Sequence, residues 1–292
     1  MLDYRMQTFL TVCRTLSYHK AAEQLHISQP AVTQHIQFLE REYGCRLFVY
    51  QNRSLRKTQA AETLEQYARA MRYNEIDLRR RLREERVQQV RVGATKTIVD
   101  YVLNDQIRQY LQSGEHELTV IVDNTEHLLR LLDENHLDFA IVEGYFDKNV
   151  YDSRCLRREP FVGICRKGHP FSGREISVAQ LLDETIIHRE EGSGTRAILE
   201  EKLQGYHESF SHFRRNICIS SFKLILELVR EGLGVSFVYQ VLADSDPALD
   251  QFRLQGGEIV REFNLVWLRN ANVRDKIELF LPPAFAQGQT QP

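Results

Sequence analysis

Four uncharged side chains at short helical spacing, Gln29, Thr33, Gln34 and Gln37, are the first residues of this chain to point to a particular chemistry. Amides and hydroxyls on one helix face offer the donors and acceptors that match base-pair edges in a major groove. Arg53, Arg56 and Lys57 come soon after and can meet phosphates or a minor groove. Two later loops suit a smaller partner. Gly93-Ala-Thr-Lys-Thr97 puts hydroxyls and an amine at a helix start, and Glu191-Gly-Ser-Gly-Thr195 does the same with glycines. Both can present backbone N–H groups to an anion. Taken alone, each loop also fits ordinary helix capping by Thr97 and Thr195.

The elements that would position the first set are short. Met6, Phe9, Leu10 and Cys13 recur at helical spacing and predict a helix over 3–15. Ser17 can cap a second helix with Ala21, Ala22 and Leu25 inward, and 26–28 form a turn. Ser28 caps a third, with Pro30 in its first turn, where a missing N–H is harmless. Its inward stripe is Ala31, Val32, Ile36 and Leu39, and it ends near Gly44. Two helices around a three-residue turn, with small alanines at the crossing, make a helix-turn-helix. A plain helical hairpin with a solvated polar face is the alternative. Residues 47–58 favour the helix-turn-helix: strand 47–50, turn 51–54 and returning segment 55–58 form a wing that carries the three basic residues.

Residues 17–58 resemble the DNA-binding head of LysR-type transcription regulators. The run from Ser17 through Ala21-Ala22, Ser28-Gln29-Pro30-Ala31-Val32-Thr33-Gln34 to Leu39-Glu40 matches that signature almost throughout. So does Gly44-Cys-Arg-Leu-Phe48 with Arg53 and Thr58. The resemblance implies that Ser28, Gln29, Pro30, Thr33 and Gln34 lie in or beside the major groove of double-stranded promoter or operator DNA, with Arg53 in the wing. Ala61 departs from the usual glycine there, and alanine is the better helix former by about 1 kcal/mol.

Thr58 can cap a long helix reaching Arg86. Ala61, Ala68, Glu75 and Leu82 fall seven apart, as do Leu64, Met71 and Leu78, which is a heptad seam with one polar break at Glu75. A single amphipathic helix packed on its own chain is the other reading. The family's linker helix dimerises, so the resemblance implies a homodimer or homotetramer. Linking two heads makes the second DNA contact intramolecular.

Beyond 87 strands and helices alternate with short connections: strands at 90–93, 118–122, 137–142, 161–165, 185–188, 216–220, 235–238 and 263–268, and helices between them. This predicts an α/β body with a mainly parallel sheet. Ligands of such sheets sit beyond the carboxyl ends of strands, at helix N-termini. The body resembles the effector domain of LysR-type regulators, itself similar to type 2 periplasmic binding proteins: two lobes, two crossing strands and a ligand between. Gly192-Ser-Gly-Thr-Arg196 and Glu231-Gly-Leu-Gly-Val235 match family positions. The expected plan is α+β and multi-domain. It has a winged helix-turn-helix at 1–58, a linker helix at 59–87 and an effector domain at 88–292. Lobe one is about 88–161 plus 266–292 and lobe two about 162–265. Candidate effector contacts are Thr95, Lys96, Thr97, Ser193 and Thr195, then Glu143 and Ser221. Lys96 has two readings. It can bind an anionic group of the effector, or it can pair with Glu143 and fill the cleft.

Composition bounds these readings. Residues 1–58 hold eight Lys/Arg against four Asp/Glu, a net +4; the whole chain carries −2, leaving −6 for the remainder. A basic head on an acidic body suits an anionic partner for the head alone. No apolar run approaches the ~20 residues of a membrane span, and the start Met-Leu-Asp-Tyr-Arg has no signal-peptide pattern, so a cytoplasmic protein is expected. Cys13, Cys45, Cys155, Cys165 and Cys218 are scattered with no C-x-x-C pair, which argues against a disulfide framework or a zinc site. A transport binding protein would explain the body but not residues 1–58. An enzyme would need more than the presence of Ser193, His188 and Asp183, since no nucleophile elbow or metal-ligand spacing accompanies them. No cofactor and no catalytic residue is expected.

Overall fold

The computed structural model describes residues 3–52, 54–83, 88–114, 116–143 and 146–281. The head opens with α1 (Tyr4–Thr15), α2 (Tyr18–Leu25) and α3 (Gln29–Glu42). Each has a capping side chain. Asp3 accepts from the Arg5 N–H, Ser17 from that of Lys20 and Ser28 from that of Ala31. His26, in the left-handed region at φ 54°, makes the sharp turn between α2 and α3. Phe9, Val12, Ala21, Val32, Ile36 and Leu39 close a core that is almost wholly shielded from water.

The wing is β1 (Phe48–Gln51) and β2 (Ser54–Lys57), an antiparallel pair turning through Asn52 at φ 50°. Glu40 near the end of α3 anchors it. One carboxylate oxygen accepts the Leu47 N–H at 2.8 Å and the other takes Arg46 at 3.1 Å.

Thr58 caps α4 (Gln59–Arg83) by accepting the Ala61 N–H. The expected seam divides. Ala61 and Ala68 are buried in the head core, where their small side chains let α4 lie close to α1. Met71, Leu78 and Leu82 are exposed, with Tyr67 beside them. Ala61, Ala68 and Leu64 pack on their own chain, and Met71, Leu78 and Leu82 do not.

The inner face of α4 meets the body through charge. Arg69 pairs with Glu65 and Asp133. Tyr73 donates to Asp138 at 2.7 Å, and Asp138 also takes Arg91 and Lys276, each at 2.9 Å. Burial would raise the Asp138 carboxyl, yet the hydrogen bond and charge of Arg91 with the Lys276 ammonium hold it below its ordinary value.

The body runs β3 (Gln88–Ala94), α5 (Lys96–Tyr101), α6 (Asn104–Gln112), β4 (His116–Val122), α7 (Thr125–Asp133) and β5 (Phe139–Glu143). Then come β6 (Tyr151–Arg166), β7 (Glu175–Ile176), α8 (Val178–Leu182), β8 (Thr185–His188), α9 (Gly194–Gln204) and β9 (Arg215–Cys218). It ends with α10 (Phe222–Arg230), β10 (Ser236–Tyr239), α11 (Gln240–Ala243), β11 (Leu249–Leu254), β12 (Ile259–Leu268) and α12 (Arg274–Phe280).

The main sheet is mixed rather than mainly parallel. Its order is β4-β3-β5-β12-β6-β11-β7, with β10 also on β6. The first lobe's β4, β3 and β5 are parallel, but β12 returns from the second lobe and runs against β5 and β6. The two long strands β6 and β12 pair from Tyr151↔Leu268 to Phe161↔Ile259. They carry the chain between the lobes. β12 joins the first lobe's sheet at Phe263, opposite Glu143, three residues before the expected boundary at 266. The expected frayed tail from 282 lies outside the described residues.

Candidate functional site

Two surfaces gather the residues with chemistry. On the head, Ser28, Gln29, Pro30 and Gln34 are exposed at the start of α3 and along its open face, and Thr33 is half-buried. The Thr33 hydroxyl donates to the Gln29 carbonyl at 3.1 Å and keeps acceptor capacity outward. Arg56 is exposed on β2. Arg53 lies outside the described residues. Lys57 departs from expectation: it turns toward α4 and pairs with the buried Glu65 at 2.7 Å. Its charge is used to neutralise a carboxylate that burial would otherwise penalise, so it is not free for phosphate.

The second surface is a cavity of about 600 Å³ in the body. The β3–α5 junction brings Thr95, Lys96 and Thr97, and the end of β5 brings Glu143. From the other side come Ser193, Gly194 and Thr195 at the start of α9. Gly192, at φ 83°, makes the turn into that helix with a backbone conformation that side chains resist. Thr95 and Ser193 are the N-cap residues, and neither hydroxyl accepts a capping hydrogen bond. Ser193 and Thr195 instead share a hydroxyl contact at 3.0 Å.

Lys96 is exposed and makes no hydrogen bond or ion pair with any described residue. The reading in which it pairs with Glu143 is therefore set aside. Glu143 is buried, and burial pushes its carboxyl up to about 8 against the weaker pull of the nearby Thr95 hydroxyl, Arg189 guanidinium and Thr97 hydroxyl. Its Oε2 and the Thr95 hydroxyl are buried without a hydrogen-bond partner among the described residues. Ser221 is also corrected. Its hydroxyl accepts from the Leu224 N–H and caps α10, and Phe222, not Ser221, faces the cavity.

Among the cavity residues that escape the sequence reading are Arg189, Arg261 and Tyr239. Arg189 grips Glu190 with two hydrogen bonds of 2.7 and 2.8 Å and lies 4.1 Å over the Phe222 ring. Its hydrogen bond holds the Glu190 carboxyl below the usual range. Arg261 of β12 pairs with Glu201 of α9 at 2.7 Å. Tyr239, at the end of β10, is buried with its hydroxyl unpartnered. The signal available for these was position: Arg189 and Tyr239 sit at or just past strand ends, where α/β folds hold ligands.

The described residues assemble no hydrolytic triad around Ser193. His188 stacks on Phe210 at 4.0 Å and bonds the Arg189 carbonyl and Asn216, not Ser193. Among the described residues no His, Cys, Asp or Glu cluster could hold a metal, and all five cysteines are free thiols. Cys155 and Cys218 are exposed. Among the described residues no helix is long and apolar enough to cross a membrane.

Residues 4–62 match the family described as "Bacterial regulatory helix-turn-helix protein, lysR family", and residues 83–282 match "LysR substrate binding domain". A RuBisCO operon transcriptional regulator of Allochromatium vinosum is 33% identical over 242 residues, covering 80% of this chain and 78% of its own. A full-length OxyR of Pseudomonas aeruginosa superposes with a TM-score of 0.60 at 22% identity, over 100% of this chain and 98% of that one. The regulatory domain of CcmR from Synechocystis, in complex with 2-PG, gives 0.62 at 22% identity, over 71% of this chain and 100% of that one. At such identity the two structures share a fold with this chain.

Proposed function

This chain belongs to the LysR family of transcription regulators, and we propose from that premise that a small anionic effector, bound between the lobes, decides how paired heads engage DNA. Regulators of this family bind DNA and are not enzymes. In the proposed reading α3 lies in the major groove, with Gln29, Thr33 and Gln34 toward base edges and Ser28 and Pro30 at its entry. Arg56 and Arg53 meet the flanking backbone. The units are the head at 1–58, the linker at 59–87 and the effector domain at 88–292. The exposed stripe of Met71, Leu78 and Leu82 pairs two chains as a homodimer, or two such pairs as a homotetramer.

One observation carries the effector site: two helix starts face one cavity with their hydroxyls unused as caps, and an unpaired Lys96 stands at its mouth. The CcmR regulatory domain solved with 2-PG supports a small ligand for a domain of this shape. The effector binds one arrangement of the lobes better than another. That difference in affinity moves the heads and changes the DNA bend or spacing they favour.

Thermal shift with small dicarboxylates and acyl amino acids tests this reading. The wild-type chain gains melting temperature with at least one of them, and Lys96→Ala loses that gain. Equal gains in both proteins would remove Lys96 from the site. Footprints on the DNA upstream of the chain's own gene should change with the acid that binds, and identical footprints would defeat the allosteric reading.

A further inference from the structure

We propose that the effector is zwitterionic, its ammonium group resting on Glu143, Thr95 and Tyr239 at the cavity floor and its anionic group lying toward Lys96 and the start of α9. This inference rests on the cleft reading above and adds the chemical class of the ligand.

Among the described residues three oxygens on the floor have no hydrogen-bond partner, Glu143 Oε2, the Thr95 hydroxyl and the Tyr239 hydroxyl, although the Thr95 hydroxyl lies near enough to Glu143 to pull its carboxyl down. All three residues are nearly closed to water and line the same cavity. Buried polar atoms in native proteins are matched, and an unmatched cluster calls for a specific account. An ammonium group has three N–H donors and no acceptor. The Glu143 carboxylate and the oxygens of the Thr95 and Tyr239 hydroxyls, which line one cavity, can accept from such a group.

The charges around the cavity agree. Arg189 is tied to Glu190 and Arg261 to Glu201, which leaves Lys96 as the described lining cation in no direct ion pair, with Glu190 as a more distant neighbour. Glu126 and Glu191 also line the cavity and are exposed. A ligand carrying only negative charge would find one free cation among several carboxylates. Distance sharpens this. A Cβ built on Gly194, the first residue of α9, would lie 3.9 Å from Glu143 Oε1. An anion held by the free N–H groups at that helix start lies close to Glu143 and, together with burial, keeps that carboxyl protonated. A positive group between them offsets both effects. The buried carboxyl is already held up to about 8 by desolvation, with Arg189, Thr95 and Thr97 as its nearest opposing influences. An ammonium neighbour restores its ionised form at neutral pH.

The test compares amino acids with their deaminated partners on the full chain: L-aspartate with succinate, L-glutamate with glutarate, β-alanine with propionate, and γ-aminobutyrate with butyrate. Thermal shift gives apparent affinities for wild type, Glu143→Gln, Tyr239→Phe and Lys96→Ala. At least one amine-bearing member binds about tenfold or more tightly than its partner, as a charge-assisted contact requires. Glu143→Gln keeps its fold, shown by a full cooperative melt, and loses that preference. Tyr239→Phe reduces it several-fold. Equal binding within every pair, a preference that survives Glu143→Gln, or no binding by any amino acid overturns the inference. The cleft reading is judged separately. Acids that bind and lose binding in Lys96→Ala keep it while the amine falls, whereas binding indifferent to Lys96→Ala removes both.

Discussion

Ser17 and Ser28 in the head and Thr95 and Ser193 in the cleft all stand one residue before a helix. In the head each hydroxyl accepts the backbone N–H three residues ahead, as the Asn124 amide oxygen and the Ser177 and Ser221 hydroxyls do elsewhere in the body. At the cleft neither does. A cap contributes about 1 kcal/mol, so leaving two unmade around one cavity costs stability that a ligand can return. The head shows the opposite arrangement: Gln29, Gln34 and Gln37 face outward, and the buried hydroxyls of Thr8 and Thr11 donate to carbonyls within α1. One region is finished by its own residues, and the other leaves two caps unmade around a cavity.

The largest expected break in that comparison is with pH. The Glu143 carboxyl sits near 8 in the fold, against an ordinary 4.5. Below about 4.5 both folded and unfolded states hold the proton and no penalty exists. Between 4.5 and 8 the fold keeps a proton that the unfolded chain has released, so stability falls as pH rises, and the loss levels off above 8. Over that window the loss is roughly 3–5 kcal/mol at one proton per group. Melts at pH 5 and 8.5 should show Glu143→Gln gaining on wild type at the higher pH; parallel pH profiles would contradict a cleft left incomplete.

Ile36→Ala tests the other side. Ile36 is almost wholly buried in the head, and emptying such a site costs about 2–5 kcal/mol. Chemical denaturation should show the head transition move while ligand-induced stabilisation of the body persists. A smaller contrast is the sharper one. Ser28→Ala should cost about 1 kcal/mol by loss of its cap, and Ser193→Ala only a few tenths of that by the same reasoning. Equal costs in paired denaturation curves would erase the distinction between used and unused caps.

Much of the head is legible in the sequence because its signals are local. Ser17 and Ser28 cap the helices that begin just after them, and the wing lies within a residue of its expected span. Lys57 is not legible in the same way, because its partner Glu65 stands eight residues on, in the next helix, and its burial depends on how α4 packs. In the body the first half of β6 gives no strand signal, because Asp152, Arg154, Arg157 and Arg158 break the apolar pattern. That half lies along the end of β12 and is open at Ser153, Cys155 and Arg157, so it has no need of one. The hydroxyl loops at 95–97 and 193–195 are visible as loops; that they share a cavity with Tyr239 and Arg189 comes only from tertiary packing. The mixed sheet is hidden for the same reason, since β12 arrives from the far lobe.

The most direct measurement is a salt-dependent titration of wild type and Gln34→Ala against DNA upstream of the chain's own gene, with an unrelated duplex as control. The account predicts tight binding to the upstream DNA alone, with paired half-sites protected on one helical face. It also predicts that Gln34→Ala loses selectivity worth about 1–3 kcal/mol while keeping the salt dependence of its phosphate contacts. Equal, weak binding of wild type to both duplexes, lost steeply with salt, would be charge attraction alone and would contradict a head built to read sequence.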